Sequence, residues 1–73
     1  MRKLRVGDII TYRPWGHQDA IADKVVSIEI CQPNTKYGRE VTECDLDKHS
    51  NVVLDLDSQH WCYKEQLVDI RQT

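Results

Sequence analysis

Turn-forming residues divide this chain into short runs whose apolar side chains recur with the two-residue period of a β-strand. The turn signals are "PWGHQD", "PNTKYG", "DKHSN" and "SQ", and they recur roughly every 8–14 residues, a spacing typical of small all-β domains. Helical periodicity is limited to a single possible turn at "YKEQL". The chain is therefore predicted to be all-β, with five short strands.

The pattern within the runs predicts which side chains form the core. A first strand is predicted from Asp8 to Arg13. The run "AIADKVVSIEICQ" is long for one strand, so a bend or bulge is expected in it. Its more apolar face, predicted to be the core face with Lys24 at the rim, carries Ala22, Lys24, Val26, Ile28 and Ile30. In "VVLDLD", alternation places Val52, Leu54 and Leu56 toward the core.

The third run, "REVTECDLD", is predicted to be a strand of two-sided character. Val41 competes with Cys44 and Leu46 for the core face, because these positions do not share one parity. Its register therefore stays open at this point.

The length of the chain limits the kind of function it can support. At 73 residues it is predicted to be a single domain spanning residues 1–73. A domain this small buries only about 60% of the surface of its unfolded chain, so an interaction surface is easier to build than an enclosed cleft. The chain has no Gly-rich phosphate loop, and Asp55 and Asp57 alternate with core positions as on a solvated strand face. We therefore expect neither an enzyme nor a cofactor.

The charge distribution bears on the partner. The formal net charge is -2, whereas nucleic-acid-binding domains are usually basic. Residues 1–40 hold seven Lys or Arg against five Asp or Glu, and residues 41–73 hold three against seven. We therefore expect a protein or peptide partner, with nucleic-acid binding through the basic N-terminal half as the alternative. The chain contains no apolar run long enough for a membrane span or signal peptide, so we expect no membrane partner and a cytoplasmic location.

Three cysteines, an odd number, are expected to be thiols in a reducing compartment. His60 and Cys62 have the close spacing of paired zinc ligands, but structural zinc sites need a second such pair, which is missing here. We therefore predict no metal site. The alternative is a site formed by His60 and Cys62 with Cys44 or Cys31.

Both ends of the chain resemble SH3-like β-barrels of the KOW and Tudor-like kind. The opening "VGDIITY", a loop and "KVVSIEI" is similar to their first two strands, and "WCYKEQLVDI" is similar to their close. The resemblance implies a five-stranded SH3-like barrel with a short 3₁₀ turn at Lys64–Gln66 before a last strand at Leu67–Arg71. The overall pattern is also similar to that of small bacterial and mobile-element proteins, from which no activity follows.

Aromatic and cationic residues at the predicted turns are the candidate binding site. An indole in a polar loop, as at Trp15, indicates either a stacking surface for a ligand or a lid folded back over the core. The candidate ligand-binding residues are Tyr12, Arg13, Trp15, Lys36, Tyr37 and Arg39. The oligomeric state is left open between monomer and homodimer.

The stretch "HWCYKEQL" has two possible interpretations. By strand period, Trp61 and Tyr63 share one face, and His60 and Cys62 share the other. We expect Trp61 to be a core residue together with Leu67 and Ile70, so the stretch is interpreted as part of the fold rather than as a chemical site.

Overall fold

The computed structural model describes residues 2–31 and 38–71, and strands account for most of them. No helix in these ranges is long and apolar enough to cross a membrane. The only helical elements there are two 3₁₀ turns, Leu46–Lys48 and Lys64–Gln66. The strands are β1 (Lys3–Arg5), β2 (Ile9–Tyr12), β3 (Ile21–Cys31), β4 (Gly38–Val41), β5 (Glu43–Asp45), β6 (Val52–Leu56), β7 (Trp61–Tyr63) and β8 (Leu67–Arg71).

These strands form two antiparallel sheets. The larger sheet has the order β7-β6-β3-β2-β8, with β4 also paired to β3, and the smaller sheet consists of β1 and β5. The prediction of an all-β fold is confirmed. The described strands number eight rather than five, and they do not form a closed barrel, because β7 and β8 end the path at opposite edges.

One of the additional strands arises because the third predicted strand breaks at Thr42. Val41 is the last residue of β4, which pairs with β3, whereas Glu43 begins β5, which pairs with β1. Between them, the Thr42 carbonyl accepts a hydrogen bond from the Val6 N–H at 2.9 Å. The chain therefore passes from one sheet to the other at this residue, and both Val41 and Cys44 can face apolar surroundings.

The long strand β3 contains the expected irregularity. Its pairing with β6 shifts between Val25 and Ser27, and such a bulge reverses the faces of the residues on one side of it. Val25 is completely buried, as is Ile28 beyond the shift. The predicted core face is therefore right for Ile28 and wrong for Ala22, before the bulge, and Val26, at the bulge, both of which are exposed. Lys24, predicted at the rim, is exposed as well.

The core is mainly aliphatic and lacks Phe, with Tyr12 as its aromatic member. The predicted alternation in β6 is confirmed, with its three inward-facing residues at most 2% exposed. Partly buried Ile30, Val41, Leu67 and Ile70 pack against the core. The buried cluster consists of Leu4, Ile10, Tyr12, Val25, Ile28, Cys44, Leu46, Val52, Leu54, Leu56 and Cys62.

Strand β7 faces the opposite way from the expectation. Cys62 is completely buried and pairs with Leu54, whereas Trp61 is 55% exposed. Directly opposed residues on antiparallel strands share a face, so the inward-facing Leu54 brings Cys62 inward and turns its neighbours outward. The prediction that Trp61 is a core residue is wrong, whereas Leu67 and Ile70 do pack on the core.

The two 3₁₀ turns lie close together. The turn at Lys64–Gln66 and strand Leu67–Arg71 have the bounds that the resemblance implied. The earlier turn, Leu46–Lys48, was not predicted, and the Asp45 carboxylate caps it by accepting from the Asp47 N–H. Lys64 Nζ donates to the Leu46 carbonyl at 2.9 Å and also to the His49 carbonyl. This lysine therefore joins one turn to the other.

Candidate binding site

Three aromatic side chains form a continuous cluster at the surface beside β7. The ring centroids of Trp15 and Tyr63 are 5.2 Å apart with planes tilted by 30°, and those of Trp61 and Tyr63 are 5.2 Å apart in an edge-to-face arrangement. Both geometries are favourable for aromatic pairs. Trp15 is 69% exposed and Trp61 is 55% exposed. We call Trp15, Tyr63 and Trp61 the aromatic cluster.

Strand period positions two members of the aromatic cluster. Trp61 and Tyr63 lie on either side of the buried Cys62, so both side chains project from the outer face of the sheet. β7 pairs with β6 and lies at the end of the sheet. The two rings therefore sit at an edge where a partner can approach them.

Backbone hydrogen bonds hold the third member, Trp15, over Tyr63. The Arg13 N–H donates to the Gln66 carbonyl at 2.9 Å. Immediately after Trp15, Gly16 takes a φ of 86°, and the His17 N–H donates to the Pro14 carbonyl at 3.1 Å. This tight turn presents the indole outward, because a left-handed residue at Gly16 reverses the chain there.

The side chain of Gln66 connects the two segments that carry the aromatic cluster. Its Nε2 donates to the Arg13 carbonyl at 3.2 Å, and its Oε1 accepts from the Tyr63 N–H at 2.9 Å. One amide therefore fixes both the start of the Trp15 loop and the end of β7.

A groove of about 290 Å³ runs next to Trp15, between the loop after β2 and the second 3₁₀ turn. Its wall combines apolar surface with charged side chains of both signs, including Arg13 and Glu65. The residues that line it are Arg13, Pro14, Trp15, Gly16, His17, Glu65, Gln66, Leu67 and Val68.

The structure separates the residues predicted from sequence. Arg13 and Trp15 lie together at the groove. Arg39 is exposed and sits opposite Ile30 in the β3–β4 pair, on the other face of the sheet from Glu40. Lys36 and Tyr37 lie outside the described residues.

Tyr12 does not belong to the surface site. It is only 3% exposed and is part of the core, because it follows Ile10 by two residues on β2 and shares its inward face. Burial raises the pKa of the Tyr12 phenol, and the nearby Cys62 and Asp23 raise it further. The expectation that Tyr12 is an exposed binding residue is wrong.

The sequence did not lead us to assign two members of the aromatic cluster, Trp61 and Tyr63 on β7, to a binding site. Their sequence signal is the Trp-x-Tyr spacing around Cys62, which places both rings on one face. Choosing between the inward and outward face required the register with β6, which pairs Cys62 with Leu54.

Two of the three cysteines, Cys44 and Cys62, have the properties of core side chains. Burial raises the pKa of the Cys62 thiol to about 12, with Asp23 adding to the shift, and burial also raises the pKa of Cys44. The thiolate is the form that binds metals and attacks electrophiles, so the raised pKa disfavours both reactions at these two thiols. His60 is exposed while Cys62 is buried. Among residues 2–31 and 38–71, no group of three or more His, Cys, Asp or Glu is arranged to hold a metal ion.

The aromatic cluster and its groove are thus the features on which a functional proposal can rest. The chain matches no protein-family model, and no curated protein or solved structure is significantly similar to it.

Proposed function

We propose that this protein is a non-enzymatic interaction module that binds an extended segment of a partner protein across the aromatic cluster and the adjoining groove. The observation that carries the proposal is the contact of three surface rings, two of them more than half exposed. Large apolar side chains that are exposed together mark interaction sites in soluble proteins. Trp and Tyr also supply much of the binding energy at such sites.

The shape of the site favours a peptide over a small metabolite. At about 290 Å³, the groove lies near the lower limit of roughly 300–1,000 Å³ for small-molecule pockets. It continues onto the exposed rings rather than closing around an interior. An extended segment can place one side chain in the groove and others against the rings.

The electrostatics favour protein over nucleic acid as the partner. Two of the N-terminal basic residues are already in ion pairs: Arg2 with Asp47 at 3.3 Å, and Lys3 with Glu43 at 3.8 Å. Phosphate binding would have to compete with these carboxylates for the same cations. This weakens the alternative of a nucleic-acid site built on the basic N-terminal half.

We also propose that the strands form an SH3-like arrangement. Support comes from the pairing of β2 with the last strand, β8, from the long bent β3, and from the 3₁₀ turn that precedes β8. The three free cysteines support a location in the reducing cytoplasm.

Selection from a library of short displayed peptides, followed by affinity measurement on variants, tests the proposed function. Trp15→Ala should lower the affinity for the selected peptides by roughly 30-fold, as expected for loss of an aromatic side chain that contributes about 2 kcal/mol to binding. The matched control is Ile21→Ala, which removes an exposed apolar side chain on β3. Equal binding by the Trp15→Ala variant and the wild type would refute the proposal.

A further inference from the structure

Carboxylates occupy the outer face of the sheet next to the aromatic cluster. Glu40 on β4 lies opposite Glu29 on β3, and Glu29 lies opposite Val53 on β6. Asp55 follows Val53 by two residues on β6, so it lies on the same outer face of the sheet. We call Glu29, Glu40 and Asp55 the carboxylate face.

Among residues 2–31 and 38–71, no Lys, Arg or His forms an ion pair with the carboxylate face. The ion pairs found between described side chains, Arg2–Asp47 and Lys3–Glu43, lie elsewhere. Of the three carboxylates, only Glu40 has a hydrogen-bond partner among the described side chains, the Ser27 hydroxyl at 3.3 Å. By strand register, the outward-facing residues of this part of the sheet include no Lys, Arg or His: Ser27, Glu29, Cys31, Gly38, Glu40, Val53, Asp55, Trp61 and Tyr63. The nearest cation along β3 is Lys24, before the bulge.

The carboxylate face adjoins the aromatic cluster directly. Asp55 is the cross-strand partner of Trp61, and Val53 is the partner of Tyr63. Directly opposed side chains begin only about 5 Å apart at their Cβ atoms. A cation held by the Asp55 carboxylate is therefore within reach of the Trp61 ring, where the ring quadrupole attracts positive charge.

We propose that the carboxylate face and Trp61 together bind a cationic segment of a partner protein, rich in Arg or Lys. The occupant follows from charge complementarity: three carboxylates that have no ion-pair partner in the described part of the chain attract positive side chains and repel phosphate. A second copy of this chain is disfavoured, because a two-fold contact would bring the same carboxylates together. Measured across the sheet, the four adjacent strands β4, β3, β6 and β7 span roughly 14 Å. A peptide of about four extended residues has the same length.

This inference rests on the proposed function only in taking Trp61 as a binding side chain. Trp15 and the groove belong to the proposed function alone, whereas Glu29 and Asp55 belong to the inference alone. Variants at the two sets therefore separate the failure of one from the failure of the other.

Isothermal titration with a synthetic peptide of alternating Arg and Ser tests the inference. Its counterpart with Gln in place of Arg, and a single-stranded oligothymidylate, serve as the comparison ligands. We expect the Arg peptide to bind most tightly, and its affinity to fall as salt is added. The double variant Glu29→Gln/Asp55→Asn should bind it about fivefold more weakly, the effect of two partly exposed charge pairs.

The matched control is Asp19→Asn/Asp69→Asn, which changes the net charge equally at exposed carboxylates away from the carboxylate face. This control variant should bind the Arg peptide with wild-type affinity. Trp61→Ala should bind the Arg peptide more weakly than the wild type does. An equal loss in both double variants would overturn the inference, since it would indicate attraction by net charge alone. Tighter binding of the oligothymidylate, or no binding of the Arg peptide, would also overturn it.

Discussion

Arg13 and Gln66 are joined by two hydrogen bonds that run in opposite directions between the loop after β2 and the second 3₁₀ turn. The Arg13 N–H donates to the Gln66 carbonyl at 2.9 Å, and Gln66 Nε2 donates to the Arg13 carbonyl at 3.2 Å. Two residues after Arg13, the Trp15 ring packs on Tyr63. The arrangement of the aromatic cluster therefore depends on a pairing more than fifty positions apart in sequence.

Replacing Gln66 should loosen the aromatic cluster more than it destabilises the fold. Gln66→Ala removes the side-chain bonds to Arg13 and Tyr63 but leaves the backbone bond. We expect a loss of about 1 kcal/mol in the free energy of unfolding, measured by urea denaturation. Nuclear Overhauser contacts between the Trp15 and Tyr63 rings should weaken. Gln18→Ala, at an exposed loop position, is the control, and intact ring contacts in Gln66→Ala would contradict this role.

Trp61 should contribute little to stability despite its size. Because the side chain is 55% exposed, Trp61→Ala should change the free energy of unfolding by no more than about 1 kcal/mol. Leu54 on the neighbouring strand is the comparison, because it is fully buried. Leu54→Ala leaves a cavity in the core and should lower the free energy of unfolding by about 2–5 kcal/mol. Thermal denaturation of both variants checks this. Unfolding of the Trp61→Ala protein would restore the core assignment.

Stability should fall in alkaline solution because of Cys62. Burial raises the pKa of this thiol from 9.0 to about 12, so between those values the unfolded chain loses a proton that the folded chain retains. The protonated Cys62 thiol makes its full contribution to the free energy of unfolding below pH 9. This contribution decreases as pH rises toward 12, by at most about 1.4 kcal/mol per pH unit for one group. Urea denaturation from pH 8 to 10 should show this slope.

A Cys62→Ala variant isolates that pH dependence. It should be less stable at neutral pH but show a shallower decline above pH 9. The raised pKa values of Cys44 and Tyr12 act in the same direction, so some decline should remain. An unchanged slope in the variant would show that Cys62 is not responsible.

Asp8 should be required for the turn between β1 and β2. Asp8 carries an acidic side chain but is only 3% exposed. Its Oδ2 accepts a hydrogen bond from the Arg5 N–H at 2.9 Å. Asp8→Ala leaves that partly buried donor without its partner and should cost about 1–3 kcal/mol. Asp8→Asn keeps an acceptor oxygen and should cost less. Equal melting temperatures for Asp8→Ala and the wild type would contradict the assignment.

The sequence predicts the parts of this fold that depend on local pattern. The alternation in β6 needed only the period of a strand, and the 3₁₀ turn at Lys64–Gln66 followed from a resemblance in chain order. The face of β7 depends on the pairing of Cys62 with Leu54, and the break at Thr42 depends on a bond to Val6. These pairings are nonlocal, so strand period alone does not determine them.

The candidate site shows the same division. Trp15 was predicted because an indole stands in a polar turn, and Arg13 accompanies it there. Tyr12 stands beside a turn signal, which predicted exposure, but it shares the strand parity of the buried Ile10 and is itself buried. Trp61 and Tyr63 could be assigned to the site only once the register of β6 with β7 was known, because that register turns both rings outward.

The central claim is that the aromatic cluster is a binding surface, and the two indole N–H signals test it most directly. In a nitrogen–proton correlation spectrum, a peptide selected by the wild-type protein should shift both indole signals, Trp15 and Trp61, together with the backbone amide of Tyr63. Peptide binding that leaves both indole signals in place and shifts only amides of β1, β5 or the N-terminal half of β3 would contradict the account.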